Sequence, residues 1–311
     1  MNCMDYDDNG ATTTTTTTTT RTSRVTKTFK TPASARPDVI VNNLCSRTSA
    51  INTIPPCYKF SPLSTWESDG PRGFFDHALT WHSTICKEPK LVPQFLNSCL
   101  QNTHVWLLGD SNILRFFFLF FELTNCKWYL GNMTSPWPTY RYCNITDINF
   151  TMTFHPHEYH NYIQHQIHPT ITSPGFPALL DAIPSTGKQI VVAHYYAHYT
   201  TAHLIVLWER LTALRDAIKR LVSRNPEAVV AFRGPHAVTK DWEINHSVGG
   251  DVLITLYLPM IREIFAELMD KVVFLDGWEM SVALENTLLH PTDKIPIAMI
   301  RTLLGFACEV K

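Results

Sequence analysis

The sequence has no excess of charge of either sign: 26 Lys and Arg stand against 27 Asp and Glu, a formal net charge of -1, and charged residues make up only 17%. That balance argues against a nucleic-acid binder working by bulk electrostatics. Long hydrophobic runs are also missing. No stretch of about 18 or more uncharged apolar residues occurs, so no membrane span is expected. The most apolar segment, Ile113 to Leu123, is short, carries Arg115 and Glu122, and reads as a buried helix. There is no Walker loop and no G-x-G-x-x-G, which removes the usual cradles for nucleotide phosphates. No C-x-x-C or H-E-x-x-H occurs either. The histidines at 155, 157, 160, 165 and 168 therefore lack a supporting ligand pattern, and no metal site is expected. The first residues, Met1 to Asp8, are acidic and polar, unlike the basic and then apolar start of a secretory leader.

What is present points to an oxidising compartment nonetheless. Eight cysteines are dispersed along the chain, and four N-x-S/T sequons occur at Asn132, Asn144, Asn149 and Asn245, three of them in one turn-rich region. Dispersed cysteines with clustered sequons favour the secretory pathway, the Golgi lumen or the extracellular space. Cys3 falls in a polar tail. The structural set is then Cys45, Cys57, Cys86, Cys99, Cys126, Cys143 and Cys308, an odd number that leaves one thiol over. Their pairing is open at this point.

The composition divides the chain. Residues 1–44 contain the threonine tract Thr12 to Thr20 and a Ser/Thr/Pro stretch, too poor in apolar residues to offset the entropy of ordering, and read as a disordered tail. Residues 45–311 form the expected domain. Within it, 45–103 is a Cys-, Pro- and aromatic-rich irregular extension, and 104–311 is an α/β core. Strands are expected at Val105 to Leu108, Gln189 to His194, Ala228 to Phe232 and Lys271 to Leu275, with partly exposed strands between Trp128 and Tyr162. Helices are expected at Ala202 to Arg224, at Leu253 to Met269 with a bend at Pro259, and at Lys294 to Cys308. Strands alternating with helices imply a largely parallel sheet.

Candidate chemistry begins at Gly109-Asp110-Ser111-Asn112, where an apolar strand stops at a glycine and a helix follows. Two readings fit. Asp110 and Ser111 cap the helix, or the Ser111 hydroxyl is a nucleophile beside the unpaired N–H groups of a helix start. A histidine late in the chain bears on the choice. His290 stands before Pro291 and the last helix, soon after the strand that stops at Asp276, and is placed to serve Ser111 as general base.

These residues resemble the PC-esterase branch of the SGNH/GDSL hydrolases, and more closely the C-terminal domain of the NXPE (neurexophilin and PC-esterase) family. The carriers are Trp106-Leu107-Leu108-Gly109-Asp110-Ser111, Asp276-Gly277-Trp278-Glu279-Met280-Ser281, and His290-Pro291 with Cys308 after the last helix. The resemblance implies a three-layer α/β/α SGNH-type domain with a mostly parallel sheet and a disulfide-braced N-terminal extension. It implies Ser111 as nucleophile and His290 as base. The wider group keeps its acid three residues before the histidine; here that residue is Thr287, so Asp276 becomes the expected acid, with Glu285 and Asp293 as alternatives. Gly109, Asp110, Asn112, His198 and Arg233 are expected around the oxyanion and substrate, His198 as a donor and Arg233 as a holder of an anionic sugar, with His236 as its companion. The expected activity is glycan O-acetyl transfer or O-acetyl ester hydrolysis through an acyl-serine, with no bound cofactor and with acetyl-CoA or an acetyl ester as co-substrate. The alternative is a catalytically silent secreted domain of the same fold that binds glycan or protein.

Overall fold

The computed structural model describes residues 54–131, 134, 139–157, 174–238, 250–286 and 288–309. The threonine-rich tail, Cys3, Cys45, Asn132, Asn245 and Thr287 lie outside them, as do His160, His165 and His168. The strands are β1 (Gly73–Phe75), β2 (Trp81–Ser83), β3 (Thr103–Gly109), β4 (Lys127–Leu130), β5 (Arg141–Ile145), β6 (Phe150–Pro156), β7 (Lys188–Ala193), β8 (Val229–Arg233) and β9 (Val272–Leu275). The helices are α1 (Leu63–Trp66), α2 (Pro93–Leu100), α3 (Ser111–Thr124), α4 (Phe176–Ala182), α5 (Leu204–Arg224), α6 (Gly250–Phe265), α7 (Gly277–Ala283) and α8 (Lys294–Ala307).

One seven-stranded sheet runs in the order β4-β5-β6-β3-β7-β8-β9. Its five strands from β6 to β9 are mutually parallel, and β5 and β4 extend it antiparallel beyond β6. Alternation along the strands supplies both faces. Val191, Ala193, Val230, Phe232, Val272 and Phe274 pack under α4, α5 and α6. Val105, Leu107, Ile190, Val192, Ala231 and Val273 pack under α3 and α8. Strands buried on both sides have to be apolar throughout, which is why these runs are rich in Val, Ile, Leu and Phe. The result is the expected three-layer α/β/α architecture.

The chain order of the five parallel strands is the doubly wound pattern in which the first strand, β3, lies between the second, β6, and the third, β7. Connections leave β3 and β7 in opposite directions, so a crevice opens outside their carboxyl ends, where ligands bind in such sheets. Ser111 and His194 stand at that crevice, just past β3 and β7. The strand that starts within the Asn149 to Phe154 stretch, at Phe150, is not a partly exposed one. β6 sits in the parallel core beside β3, with Phe150, Met152 and Phe154 fully buried; only β4 and β5 form the outer ribbon. Helix α6 continues through Pro259, and α7, between β9 and His290, is an element that the residue pattern did not announce.

The extension braces rather than wanders. Its Thr65 Oγ1 accepts from Phe274 N–H at 2.8 Å, and Trp66 Nε1 donates to the Val272 carbonyl at 2.6 Å, so side chains of α1 saturate the outer edge of β9. Covering an edge in this way prevents further strand pairing. Disulfides join Cys57 to Cys86, Cys99 to Cys308 and Cys126 to Cys143. The second closes the domain by tying α2 to the residue after α8. Of the sequons, Asn149 is exposed and left-handed at φ 50°, whereas Asn144 lies half-buried in β5. Among the described residues no helix is long and apolar enough to cross a membrane.

Extension and core also meet at a buried carboxyl. Glu88 accepts from Thr302 Oγ1 at 2.6 Å and lies 3.5 Å from Arg301. Burial pushes its pKa up to about 7, with Arg301 and Thr302 only partly opposing. The folded state therefore holds this proton more tightly than the unfolded chain, and stability declines as pH rises from the ordinary carboxylate range to about 7. Glu88→Gln is expected to remove that decline. At pH 8 the variant should be the more stable by on the order of 3 kcal/mol, and at pH 4 the difference should close, as measured by denaturant unfolding.

Candidate active site

The site is built on the turn from β3 to α3. A side chain at Gly109 would place its Cβ 2.3 Å from Ile113 Cγ1 and 3.3 Å from His194 Cβ, so only glycine lets the strand turn directly into the helix. Asp110 is the N-cap, its Oδ1 accepting from Asn112 N–H at 2.8 Å. Ser111 is thus released from capping. As the first helical residue, it has a backbone N–H with no hydrogen-bond partner among the described residues. Its hydroxyl lies 2.8 Å from His290 Nε2, across 179 residues of sequence. At that distance the serine O–H can donate to the imidazole lone pair.

His290 sits exposed on an irregular segment between α7 and α8, and three contacts fix that segment. Asn286 Oδ1 accepts from Thr292 N–H at 3.1 Å. Asp293 holds Arg115 through both carboxylate oxygens, the Nε bond at 2.8 Å and the second to Nη2, which joins α8 to the α3 turn just after Ser111. The Leu289 carbonyl accepts from His236 Nε2–H at 2.8 Å.

Behind the serine the carboxyl ends of the strands carry a buried polar chain. Asp110 is 2% exposed, His194 and His236 are fully buried, and Arg233 is 1% exposed. His194 Nδ1 lies 2.8 Å from the Arg233 carbonyl and so carries the proton. Its Nε2 then accepts from Arg233 Nη1 at 2.9 Å and stands 3.6 Å from Asp110 Oδ2. His236 Nδ1 accepts from Arg233 Nη2 at 3.4 Å. Burial pushes His194 down to about 4 and His236 well below the ordinary histidine value, so both rings are neutral. Arg233, lowered by burial to about 10, keeps its charge. For Asp110, burial works upward, but the nearby positive groups outweigh it and hold the carboxyl well below the usual range. With His194 neutral, Arg233 is the permanent charge among them.

Several expected residues have other occupations here. Arg233 spends both Nη atoms on imidazoles inside the protein, so it is not presented to an anionic substrate. His198 Nδ1 lies 2.6 Å from Nε2 of the buried His157, at the ends of β7 and β6. Asp276 caps α7 through Oδ1, accepting from Glu279 N–H at 3.0 Å, and its Oδ2 takes Arg72 Nη1 at 2.7 Å. Both oxygens are thereby used by the extension and the helix start. Asp293 is likewise committed to Arg115. Asn112 is 2% exposed, with neither side-chain polar atom hydrogen-bonded among the described residues. The roles of Arg72, Arg115 and Asn286 left no motif in the sequence. One signal was available for the rest: each parallel strand is followed at once by a chargeable residue, Asp110, His157, His194 and Asp276, or ends in one, Arg233.

The family model described as NXPE family member 4-like, C-terminal domain, matches residues 81–308. This chain belongs to the NXPE family. The NXPE domain thus begins at β2 of the small two-stranded sheet, covers the whole seven-stranded sheet and ends at Cys308 of the second disulfide. Among solved structures, Est24, a carbohydrate acetylesterase from Sinorhizobium meliloti, aligns at 13% identity over 66% of this chain and 95% of its own, with a TM-score of 0.33. Another solved chain aligns at 14% identity over 68% of this chain and 96% of its own, with a TM-score of 0.34. Likeness at that level says nothing about the chemistry of the NXPE domain.

The charge balance behind Ser111 can be measured. Asp110→Asn retains an oxygen to cap α3 but removes a buried negative charge that acts on Arg233 through space, without a direct ion pair, and is expected to be destabilising. Asp110→Ala also loses the cap, for about 1 kcal/mol more. Urea denaturation of the two variants beside the parent protein checks both the cost and the order.

Proposed function

We propose that this protein is a serine-dependent acyl-transfer enzyme acting on O-acetyl groups of glycans, as an O-acetyltransferase or an O-acetylesterase. The observation that carries the reading is the 2.8 Å contact between Ser111 Oγ and His290 Nε2 at the amino end of α3. A serine hydroxyl is a weak nucleophile until a neighbouring base takes its proton. His290 is that base. Ser111 Oγ attacks the acyl carbonyl of an acetyl ester or acetyl-CoA while its proton passes to His290 Nε2. The negative oxygen of the tetrahedral intermediate forms beside the amino end of α3, where the Ser111 N–H is a ready donor. Collapse breaks the bond to the leaving oxygen or sulfur, which takes the proton from His290, and leaves acetyl-Ser111. A sugar hydroxyl, or water, then gives its proton to His290 and accepts the acetyl group, restoring the serine.

His198 and Asn112 are the further polar side chains we assign to the reacting carbonyl or the sugar, with Gly109 and Asp110 shaping the turn that presents the serine. Asp276 orders the β9 end of the site through Arg72 and α7. The three disulfides support a lumenal or extracellular setting, where Asn149, exposed on a turn, is the better placed of the two described sequons to carry glycan.

A fluorophosphonate probe and a chromogenic acetyl ester test the reading together. The parent protein should label and turn over. Ser111→Ala should abolish labelling and lower turnover by at least about a thousandfold, and His290→Ala should slow both by about a hundredfold or more. Labelling that survives Ser111→Ala overturns the nucleophile. Failure of the parent protein to label or to turn over either an acetyl ester or acetyl-CoA with a glycan acceptor favours the silent binding domain.

A further inference from the structure

Resting on the serine–histidine reading, we propose that His236 is a positioning residue for His290, held in place by the buried hydrogen-bonded chain His194–Arg233–His236. One end of this chain is His194, whose Nε2 lies 3.6 Å from Oδ2 of Asp110, the N-cap of the helix that begins with Ser111, with no hydrogen bond between them. The other end is the carbonyl of Leu289, the residue directly before His290.

The chain admits only one arrangement of protons. A guanidinium has donors and no acceptor, so both imidazole nitrogens facing Arg233 must carry lone pairs. Each ring then has its single N–H on the far nitrogen, and each meets a backbone carbonyl, His194 on Arg233 and His236 on Leu289. The Leu289 carbonyl is therefore met by a donor whose tautomer is dictated from inside the protein. His236 itself cannot drift. Its carbonyl accepts from Tyr196 OH at 3.2 Å, and the next residue, Ala237, donates its N–H to the buried Ser281 Oγ at 2.8 Å. That pins the 234–238 loop to both the segment after β7 and α7. A chemical reason requires such a device. His290 is exposed and belongs to no regular element, whereas proton transfer needs its Nε2 held within hydrogen-bond reach of Ser111. A displacement of about 1 Å can cost a factor of about 100 in rate.

His236→Leu, His236→Gln and His236→Asn in the full chain test this. Glutamine can place an amide N–H near the position of the imidazole Nε2 and reach Leu289; asparagine is too short and leucine has no donor. We expect His236→Leu and His236→Asn to lower kcat on an acetyl ester, and the rate of fluorophosphonate inactivation, by about 10- to 100-fold with KM changed less than about twofold. His236→Gln should recover to within about threefold of the parent. In parallel, ¹⁵N NMR of the His290 ring should show one tautomer in the parent and the Gln variant and tautomer averaging in the other two. If His236→Leu does not fold, the Gln and Asn variants decide. Equal kcat in Gln and Asn, or an unchanged His290 spectrum in Asn, overturns the proposal. The NMR measurement needs no turnover, so a parent protein that never labels would defeat the serine chemistry while leaving the positioning of His290 to be judged by the spectra.

Discussion

A single buried cation organises the working edge of this sheet. Arg233 ends the fourth of the five parallel strands with its guanidinium out of water, a placement that costs several kcal/mol unless the charge is met and its donors are used. The protein meets it with two neutral imidazoles on the Nη atoms and, through space, with the Asp110 carboxylate, while Nε makes no hydrogen bond among the described residues. Each partner comes from a different segment: the turn after β3, the end of β7 and the loop after β8. Satisfying one charge therefore ties the ends of β7 and β8 together, with the serine turn close beside them.

The same economy explains why the extension and the last helix matter to a site they do not line. Arg72 occupies Asp276 and Glu279, and Thr65 and Trp66 saturate β9. The start of α7 is thereby settled before the chain reaches His290. Gly277 serves the same end: a Cβ there would lie 2.6 Å from the Pro235 carbonyl oxygen, so the glycine lets α7 close on the loop that contains His236. From the other side, Arg115 and Asp293 tie the first turn of α3 to the entrance of α8. The exposed histidine is thus held on a short segment whose two ends are both anchored.

Much of the fold could be read directly. Val105 to Leu108, Gln189 to Ala193 and Val272 to Leu275 are apolar on both faces, which only a doubly covered sheet allows, and the period of Leu207, Leu211, Leu214, Ile218 and Leu221 makes α5 unambiguous. The exceptions have local causes. The alternation at Asn149 to Phe154 imitates a half-exposed strand because Thr151 and Thr153 alternate with Phe and Met, yet the strand lies in the parallel core beside β3, where Thr153 itself is buried. Helix α7 is only seven residues long and too short to show a period. Of the candidate site, Ser111 could be picked out at the glycine turn after a strand and His290 ahead of Pro291 and the last helix, and the two do meet. Arg233 and Asp276 were legible as strand-end residues but not in what they touch.

The sequence by itself determined the α/β class, the strand-to-helix turn at Gly109 and the presence of a serine at a helix start, because these depend on local sterics and on apolar periodicity within a few residues. Only the tertiary structure decided which charged groups meet. Arg233 turns inward to His194 and His236, and Asp276 outward to Arg72. The partner of a charged side chain is chosen by how strands and loops from distant parts of the chain pack, and by the need to neutralise charge wherever packing removes water. No local pattern carries that information.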